Sequence, residues 1–73
     1  MTDFTIAIVD DDAAIRRLVR LFLNRAGFGT FECTTGSEAR EALATQMWDL
    51  VILDRRLPDM DGVQLAQELR TQS

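Results

Sequence analysis

The sequence predicts an α/β protein with a parallel sheet. Three short apolar runs that suit β-strands alternate with three segments whose apolar residues repeat at helical spacing. The connections are only a few residues long, and such alternation implies parallel strands joined by right-handed crossovers. Two of the apolar runs end directly in aspartate. The expected order is β-α-β-α-β-α, with acidic side chains after two of the strands.

Size and composition limit the chain to one small domain. Its 73 residues are 47% apolar and 27% charged, so we expect one globular domain over residues 1–73. No apolar run approaches the roughly 20 residues of a membrane span, and no signal segment opens the chain, which predicts a cytoplasmic protein without membrane contact. The single cysteine excludes an internal disulfide, and a net charge of −4 argues against nucleic-acid binding by this chain alone.

The first strand and helix come from the N-terminal third. Residues 5–9 form a β-prone run that stops at three consecutive aspartates, as expected for a strand buried on both faces. A helix is expected over residues 13–26, with Asp11 or Asp12 as its N-cap and Gly27 after its end. Its predicted apolar face, at helical spacing, consists of Ile15, Leu18, Val19, Phe22 and Ala26.

The second strand, residues 29–33, is predicted to lie near a sheet edge because its side chains alternate in character. Phe31 and Cys33 share one face, and Thr30 and Glu32 share the other. Cys33 is therefore expected to be a small core residue in preference to a redox site.

The middle of the chain predicts a short helix and then a third strand. Thr35 and Glu38 fit a capping box, in which Thr35 bonds the amide of Glu38 and Glu38 reaches back. The helix is expected to end near residue 47. The largely apolar stretch at residues 48–53 leads into Asp54, which repeats the arrangement of the first strand. Its Trp48 is expected to pack at the entry of this strand.

A turn-rich loop and a final helix complete the sequence. The loop covers residues 55–60 around Pro58, and Asp61 opens a capping-box-like sequence with Gln64 at the third helical position. The last helix is expected to reach nearly to Ser73. The loop thus connects the aspartate after the third strand to this helix.

The acidic residues after the first and third strands are the candidate functional site. Asp10 and Asp11 follow the first strand, and Asp54 follows the third. Ligands of open parallel sheets bind beyond the carboxyl ends of the strands, so neighbouring strands would bring the three carboxylates into one pocket. Like charges this close repel unless a cation neutralises them. Oxygen ligands without nearby His or Cys favour Mg²⁺.

Three motifs are specific in combination. Ile8-Val9-Asp10-Asp11-Asp12 precedes an Ile-Arg-Arg-Leu helix, Val51-Ile52-Leu53-Asp54 ends the third strand, and Leu57-Pro58-Asp59-Met60-Asp61-Gly62 follows closely. With these motifs the chain resembles, from about residue 4 to residue 70, the receiver domain of two-component response regulators. The resemblance implies a flavodoxin-like, doubly wound fold with the strands in the order 2-1-3.

The resemblance also implies a function and a set of site residues. Asp54 would be the phospho-acceptor, receiving its phosphoryl group from the phosphohistidine of a sensor histidine kinase. Asp11 and Asp54 would bind Mg²⁺ directly together with the backbone carbonyl of Arg56, and Asp10 would act through water. Such a protein is a phosphorylated signalling module and not an enzyme in its own right.

The resemblance covers only part of the family's pattern. Receiver domains have five strands and five helices, whereas this sequence stops after its third helix and contains no Lys to stand beside the phosphate. We therefore expect the N-terminal part of a receiver module. The third strand is expected to be an open edge that favours self-association, with Leu21 and Leu23 of the first helix uncovered.

Other interpretations remain beside this one. The alternative function is a truncated fragment that serves dimerisation or interaction without phosphotransfer. A calcium loop would use Asp59, Asp61, Gly62 and Glu68, but its first position falls on Leu57, which has no side-chain ligand, so coincidence is favoured.

The arginines beside Asp54 have two interpretations. Arg55 and Arg56 either steer a phosphodonor or pair with nearby carboxylates, or they are solvated surface charges. Solvated charge is favoured, because exposed ion pairs contribute little.

Overall fold

The computed structural model describes residues 4–72, and these residues form three strands and three helices in the predicted alternating order. The limits of the predicted domain, residues 1 and 73, lie outside the described residues. No helix in the described range is long and apolar enough to cross a membrane. The strands are β1 (Thr5–Val9), β2 (Gly29–Cys33) and β3 (Leu50–Leu53), and the helices are α1 (Ala13–Arg25), α2 (Gly36–Thr45) and α3 (Gly62–Gln72).

The strands form one parallel sheet in the order β2-β1-β3, as predicted. In the central strand, Thr5 is level with Gly29 of β2, and Val9 is level with both Cys33 of β2 and Leu53 of β3. Parallel strands in this register end together. The carboxyl ends of all three strands therefore lie at one edge of the sheet.

The helices cover both faces of the sheet. Cys33 of β2 belongs to an apolar cluster with Ala39 and Leu43 of α2 and Leu65 of α3. Glu32, which points to the opposite face, pairs with arginines of α1. Hence α2 and α3 lie on one face and α1 lies on the other, which is the doubly wound arrangement.

The core between the sheet, α2 and α3 contains Cys33 and borders Trp48, as predicted. Cys33 is 1% exposed. Burial raises the pKa of its thiol, and the negative charge of Glu38 adds to the effect. Trp48 packs against this core just before β3, and its indole N–H donates a hydrogen bond to the carbonyl of Leu43 (2.9 Å).

The predicted apolar face of α1 is wrong except at Val19, which is partly buried. Ile15, Leu18 and Phe22 are 48%, 69% and 75% exposed. The aliphatic part of an arginine side chain can cover apolar surface while its guanidinium group binds elsewhere. Arginine can therefore occupy sheet-facing positions of a helix at which leucine or valine is expected. The partly buried residues of α1, at spacing i, i+3, i+4 and i+7, are Arg16, Val19, Arg20 and Leu23.

The helix ends use the predicted capping residues, with one difference. Asp12 accepts two amide hydrogen bonds from the first turn of α1 (2.9 and 3.2 Å), and Gly27 has a left-handed φ of 97° just after the helix. Thr35 accepts from the amide of Glu38 (3.0 Å), as predicted. Glu38, however, reaches back to the amide of Thr34 (3.1 Å), one residue before the expected partner.

Apolar surface is exposed on one side of the sheet. Leu21 of α1 is 53% exposed, as expected, whereas Leu23 is partly buried, so the expectation for Leu23 is wrong. Leu50 and Ile52 of β3 are 48% and 38% exposed. Among the described residues, β3 pairs only with β1.

The loop between β3 and α3 is tied to the beginning of α2. The two carboxylate oxygens of Asp59 accept hydrogen bonds from the amides of Gly36 (2.7 Å) and Ser37 (2.8 Å). These are amides that a helix cannot satisfy internally. The Gly36 and Ser37 bonds lower the pKa of the Asp59 carboxyl, and the charge of Arg40 contributes in the same direction. Gly36 lies so close to Met60 that a Cβ atom on residue 36 would overlap the Met60 side chain.

We expect Asp59→Asn to lower the melting temperature at neutral pH, because an amide side chain has only one acceptor oxygen for the two α2 amides. The folded-state pKa of Asp59 lies below its unfolded value of about 3.9. Its contribution to stability is therefore complete above that pH and is lost as the pH falls through the folded-state value. Thermal unfolding followed by circular dichroism should show the Tm difference from wild type shrinking in acid.

The matched control for this prediction is Glu41→Gln. Glu41 is an exposed residue of the same helix whose carboxylate makes no hydrogen bond within residues 4–72. The Glu41→Gln variant should have a Tm close to that of wild type. A Tm difference for Asp59→Asn that stays constant from neutral pH into the acid range would contradict the assignment.

Candidate metal centre

The register of the sheet places the aspartates side by side. The amide of Asp54 donates to the carbonyl of Val9 (2.8 Å), and the amide of Asp10 donates to the carbonyl of Cys33 (3.1 Å). Main-chain pairing thus continues one residue beyond the end of β1 and of β3. Asp10 and Asp54 therefore leave neighbouring strands at the same level, with Asp11 next in the loop.

Asp10, Asp11 and Asp54 form a cluster of three carboxylates. One oxygen of each lies within 4.8 Å of an oxygen of the other two. Asp10 and Asp54 are partly buried, and Asp11 is exposed. Within residues 4–72 this is the only such group of three or more His, Cys, Asp and Glu side chains. The structure thus brings together the three side chains that the sequence singled out, while their individual roles stay predictions.

The chemistry of this cluster fits a hard divalent cation. Three carboxylates at this spacing repel one another, and a cation between them removes that repulsion. The donors are all oxygen atoms, which Mg²⁺ prefers over nitrogen and sulfur. The exposed position of Asp11 gives water access to the site, and Mg²⁺ usually keeps several waters.

The loop after β1 is fixed by hydrogen bonds that the sequence analysis did not predict. Oδ1 of Asp10 accepts from the amide of Asp12 (2.9 Å). The Asp10 carbonyl accepts from Nη1 of Arg16 (2.7 Å), and Nε of Arg16 donates to Glu32 (3.2 Å). One feature of the sequence could have indicated the contact with Glu32. Arg16 and Arg20 lie one helical turn apart, so both can pair with one acidic residue on the polar face of β2.

Asp54 is held from the other side by the start of α3. Its Oδ1 accepts from the amide of Arg56 (3.3 Å), and the amide of Gly62 donates to the carbonyl of Arg55 (2.6 Å). A Cβ on Gly62 would overlap the carbonyl oxygen of Asp54. Helix α3 can therefore begin this close to the site only with glycine. Arg56 contacts Asp54 through its amide, and the predicted ligand role of its carbonyl stays a prediction.

The remaining charged residues of the loop take separate roles. Asp59 binds the start of α2, Asp61 accepts from the amide of Val63 (2.8 Å), and Glu68 pairs with Arg40 (2.8 Å). These acidic side chains do not meet at one point. This supports the interpretation that the match to a calcium loop is a coincidence.

The side chains of Arg55 and Arg56 are exposed. Their guanidinium groups make no hydrogen bond or ion pair with the described part of the chain. This agrees with solvated charge, which the sequence favoured. Steering of a phosphodonor stays a prediction.

Comparison with known proteins identifies close relatives. The sequence profile of the response regulator receiver domain matches residues 6–73. Transcriptional regulatory protein SrrA of Staphylococcus aureus is 43% identical over 65 residues, which cover 89% of this chain and 27% of SrrA. The chain thus spans about a quarter of the length of the curated relatives it matches.

Solved structures show the same fold. Response regulator TrrA from Thermotoga maritima, solved in complex with Mg(2+)-BeF, aligns with a TM-score of 0.93 and 33% identity, over 96% of this chain and 61% of that chain. The receiver domain of Francisella response regulator 1452 aligns with a TM-score of 0.91 and 27% identity, over 96% of this chain and 58% of that chain. The flavodoxin-like, doubly wound fold with strand order 2-1-3 is confirmed.

We expect Gly62→Ala to destabilise the protein by about 1–3 kcal/mol, the usual cost of forcing extra atoms into a packed site. The added Cβ would overlap main-chain atoms of Asp54 and Arg55, which cannot rotate away as a side chain can. Gly29→Ala is the matched control, because a Cβ there would meet its nearest atom at 3.5 Å, an ordinary contact. Urea unfolding measures both variants, and equal stabilities would refute this account of the α3 start.

Proposed function

The chain belongs to the response regulator receiver domain family, and we propose that it accepts a phosphoryl group on Asp54 in a two-component phosphorelay. The observation that carries the proposal is the cluster of Asp10, Asp11 and Asp54 at the carboxyl edge of the parallel sheet. The proposed role is that of a phosphorylated signalling module without independent catalytic turnover.

Asp54 is the proposed nucleophile. Its carboxylate follows β3 and is partly buried, with Oδ1 oriented by the amide of Arg56. Its Oδ2 accepts no hydrogen bond within residues 4–72, so this oxygen is available for attack. Attack on phosphorus forms an acyl phosphate on Asp54 and breaks the phosphorus–nitrogen bond of the donor, whose electron pair leaves with the imidazole.

Asp11 and Asp54, with the backbone carbonyl of Arg56, are the proposed direct ligands of Mg²⁺, and Asp10 is proposed to act through water. When bound, the cation supplies positive charge that offsets the negative charge on the phosphoryl oxygens. The similar response regulator TrrA was solved with Mg(2+)-BeF, which supports the same ion here. Hydrogen bonds to Oδ1 and to the carbonyl of Asp10 restrain this residue for its proposed role.

The proposed donor is the phosphohistidine of a sensor histidine kinase, and this histidine must lie outside these 73 residues, which contain none. The relative SrrA is a transcriptional regulatory protein. We extend the proposal to a transcriptional output carried by another part of a longer protein. Because the net charge of these residues is −4, we propose that any contact with DNA is made by another part of the protein.

A second candidate is association of two chains through β3. It is favoured by the exposed edge of this strand, by Leu50 at 48% and by Ile52 at 38% exposure. Unpaired strand edges are templates for pairing with another chain. Edge-to-edge pairing of two β3 strands would give a six-stranded sheet.

Acetyl phosphate with Mg²⁺ should add one phosphoryl group, about 80 Da, to the wild-type chain in intact-mass spectrometry. Asp54→Asn should abolish the gain, and Asp11→Asn should reduce it strongly because a proposed cation ligand is lost. Glu41→Gln, which removes an exposed acid of α2, is the control and should react like wild type. A wild-type chain that gains no mass would overturn phosphoryl acceptance.

Sedimentation velocity should show a dimer whose fraction rises with protein concentration. Ile52→Lys places a charge on the β3 edge and should shift the chain to monomer. Met47→Lys is the matched control, because Met47 is 91% exposed and lies outside the strand. A monomer at all concentrations, or equal dissociation by both variants, would rule out this interface.

A further inference from the structure

We propose that Arg16 is a positioning residue for the acidic site, which fixes the peptide between Asp10 and Asp11 and is itself anchored by Glu32. The inference rests on the proposed function, because it concerns how these residues receive Mg²⁺. It assigns a role in the site to a residue of α1 whose side chain does not reach the carboxylate cluster as a ligand.

The contacts of Arg16 join three elements. Nη1 donates to the carbonyl of Asp10 (2.7 Å), at the end of β1, and Nε donates to Oε1 of Glu32 (3.2 Å), on β2. The side chain is only 14% exposed. The planar fork of a guanidinium can serve both acceptors from fixed positions, which a lysine ammonium cannot reproduce.

The bond to the Asp10 carbonyl matters because it completes the restraint of one residue. The amide of Asp10 donates to the carbonyl of Cys33 (3.1 Å), and its Oδ1 accepts from the amide of Asp12 (2.9 Å). With the Arg16 bond, the amide, side chain and carbonyl of Asp10 each have a partner. The orientation of the peptide that leads into Asp11 is thereby set.

Asp11 depends on this restraint more than its neighbours do. Its carboxylate is exposed and makes no hydrogen bond within residues 4–72. No hydrogen bond of its side chain therefore holds Asp11 toward Asp54 in the described residues, so its place in the cluster depends on the direction of the main chain. Loss of the hydrogen bond from Arg16 to the Asp10 carbonyl would allow the main chain leading into Asp11 to change direction.

Glu32 has a second partner besides Arg16. Oε2 of Glu32 accepts from Nη1 of Arg20 (2.9 Å), so α1 remains paired to β2 when Arg16 is changed. Removing Arg16 therefore tests the bond to the Asp10 carbonyl with limited disturbance of the helix. Methionine is the preferred replacement, because it keeps an apolar stem against the sheet without the guanidinium.

The positive charge of Arg16 and its hydrogen bond to the Asp10 carbonyl have opposite effects on the affinity for Mg²⁺. Removing a positive charge near the cluster lowers repulsion of the cation and would tighten binding. Loss of the restraint on the peptide between Asp10 and Asp11 would let the carboxylate ligands move apart and would weaken binding. The sign of the change thus separates positioning from simple electrostatics.

The test is the Mg²⁺ affinity of the whole chain by isothermal titration calorimetry at constant ionic strength, together with the rise in Tm that Mg²⁺ causes. Arg16→Met should weaken binding by about 10-fold or more, as is typical when a residue that orients metal ligands is lost, and should reduce the Mg²⁺-induced rise in Tm. Arg17→Met is the matched control. The side chain of Arg17 is exposed and makes no hydrogen bond or ion pair in the described range. The Arg17→Met variant should bind Mg²⁺ as wild type does or slightly more tightly.

A second variant covers a failure of Arg16→Met to fold. Arg16→Lys keeps the charge but not the fork, so it should bind Mg²⁺ several-fold more weakly than wild type. If the wild type binds Mg²⁺ and the folded Arg16 variants bind it equally well or more tightly, the positioning role is overturned and the proposed function stands. If the wild type itself binds no Mg²⁺, both fail.

Discussion

Main-chain pairing between β1 and β3 at their carboxyl ends is the constraint on which the acidic site depends. The amide of Asp54 meets the carbonyl of Val9, so Asp54 can lie only one residue beyond the paired ends. Successive side chains of a strand point to opposite faces and are about 3.3 Å apart along it. A slip of one residue would move Asp54 by that distance and turn its side chain away. The apolar register of the sheet therefore decides the geometry of a charged site.

The cost of assembling three carboxylates is partly offset by donors from the chain itself. Oδ1 of Asp10 accepts the amide of Asp12, and Oδ1 of Asp54 accepts the amide of Arg56. Hydrogen bonds to charged groups are among the stronger ones in proteins. Asp11 has no such donor in the described residues, which leaves its oxygens free for a cation. The arrangement thus keeps two carboxylates oriented and one open.

The sequence was sufficient for the elements whose signals are local. Strand β1, the Thr35 cap and the turn at Gly27 each follow from a few adjacent residues, and all are confirmed. Of the two predicted candidates for the N-cap of α1, Asp11 and Asp12, the structure uses Asp12. The meeting of Asp10 with Asp54 was also predictable, because parallel topology brings the carboxyl ends of neighbouring strands together.

Long-range polar contacts could not be predicted in the same way. The face that α1 turns to the sheet depends on Arg16 and Arg20 finding Glu32, a pairing of two elements whose relative rotation no local pattern fixes. Asp59 looked like part of a loop motif, yet it binds amides 22 and 23 residues away. Such partners become visible only when the sheet has set the positions of the helices.

These long-range contacts connect the two halves of the site to opposite faces of the sheet. The Asp10 carbonyl is held by Arg16 of α1, on one face. The main chain at Asp54 packs against Gly62 of α3, and the same loop reaches α2 through Asp59, on the other face. A phosphoryl group would add roughly 1.5 to 2 negative charges between these halves. Each helical layer contacts the site through a separate, identifiable interaction, so a change in charge at the carboxyl edge would reach both layers.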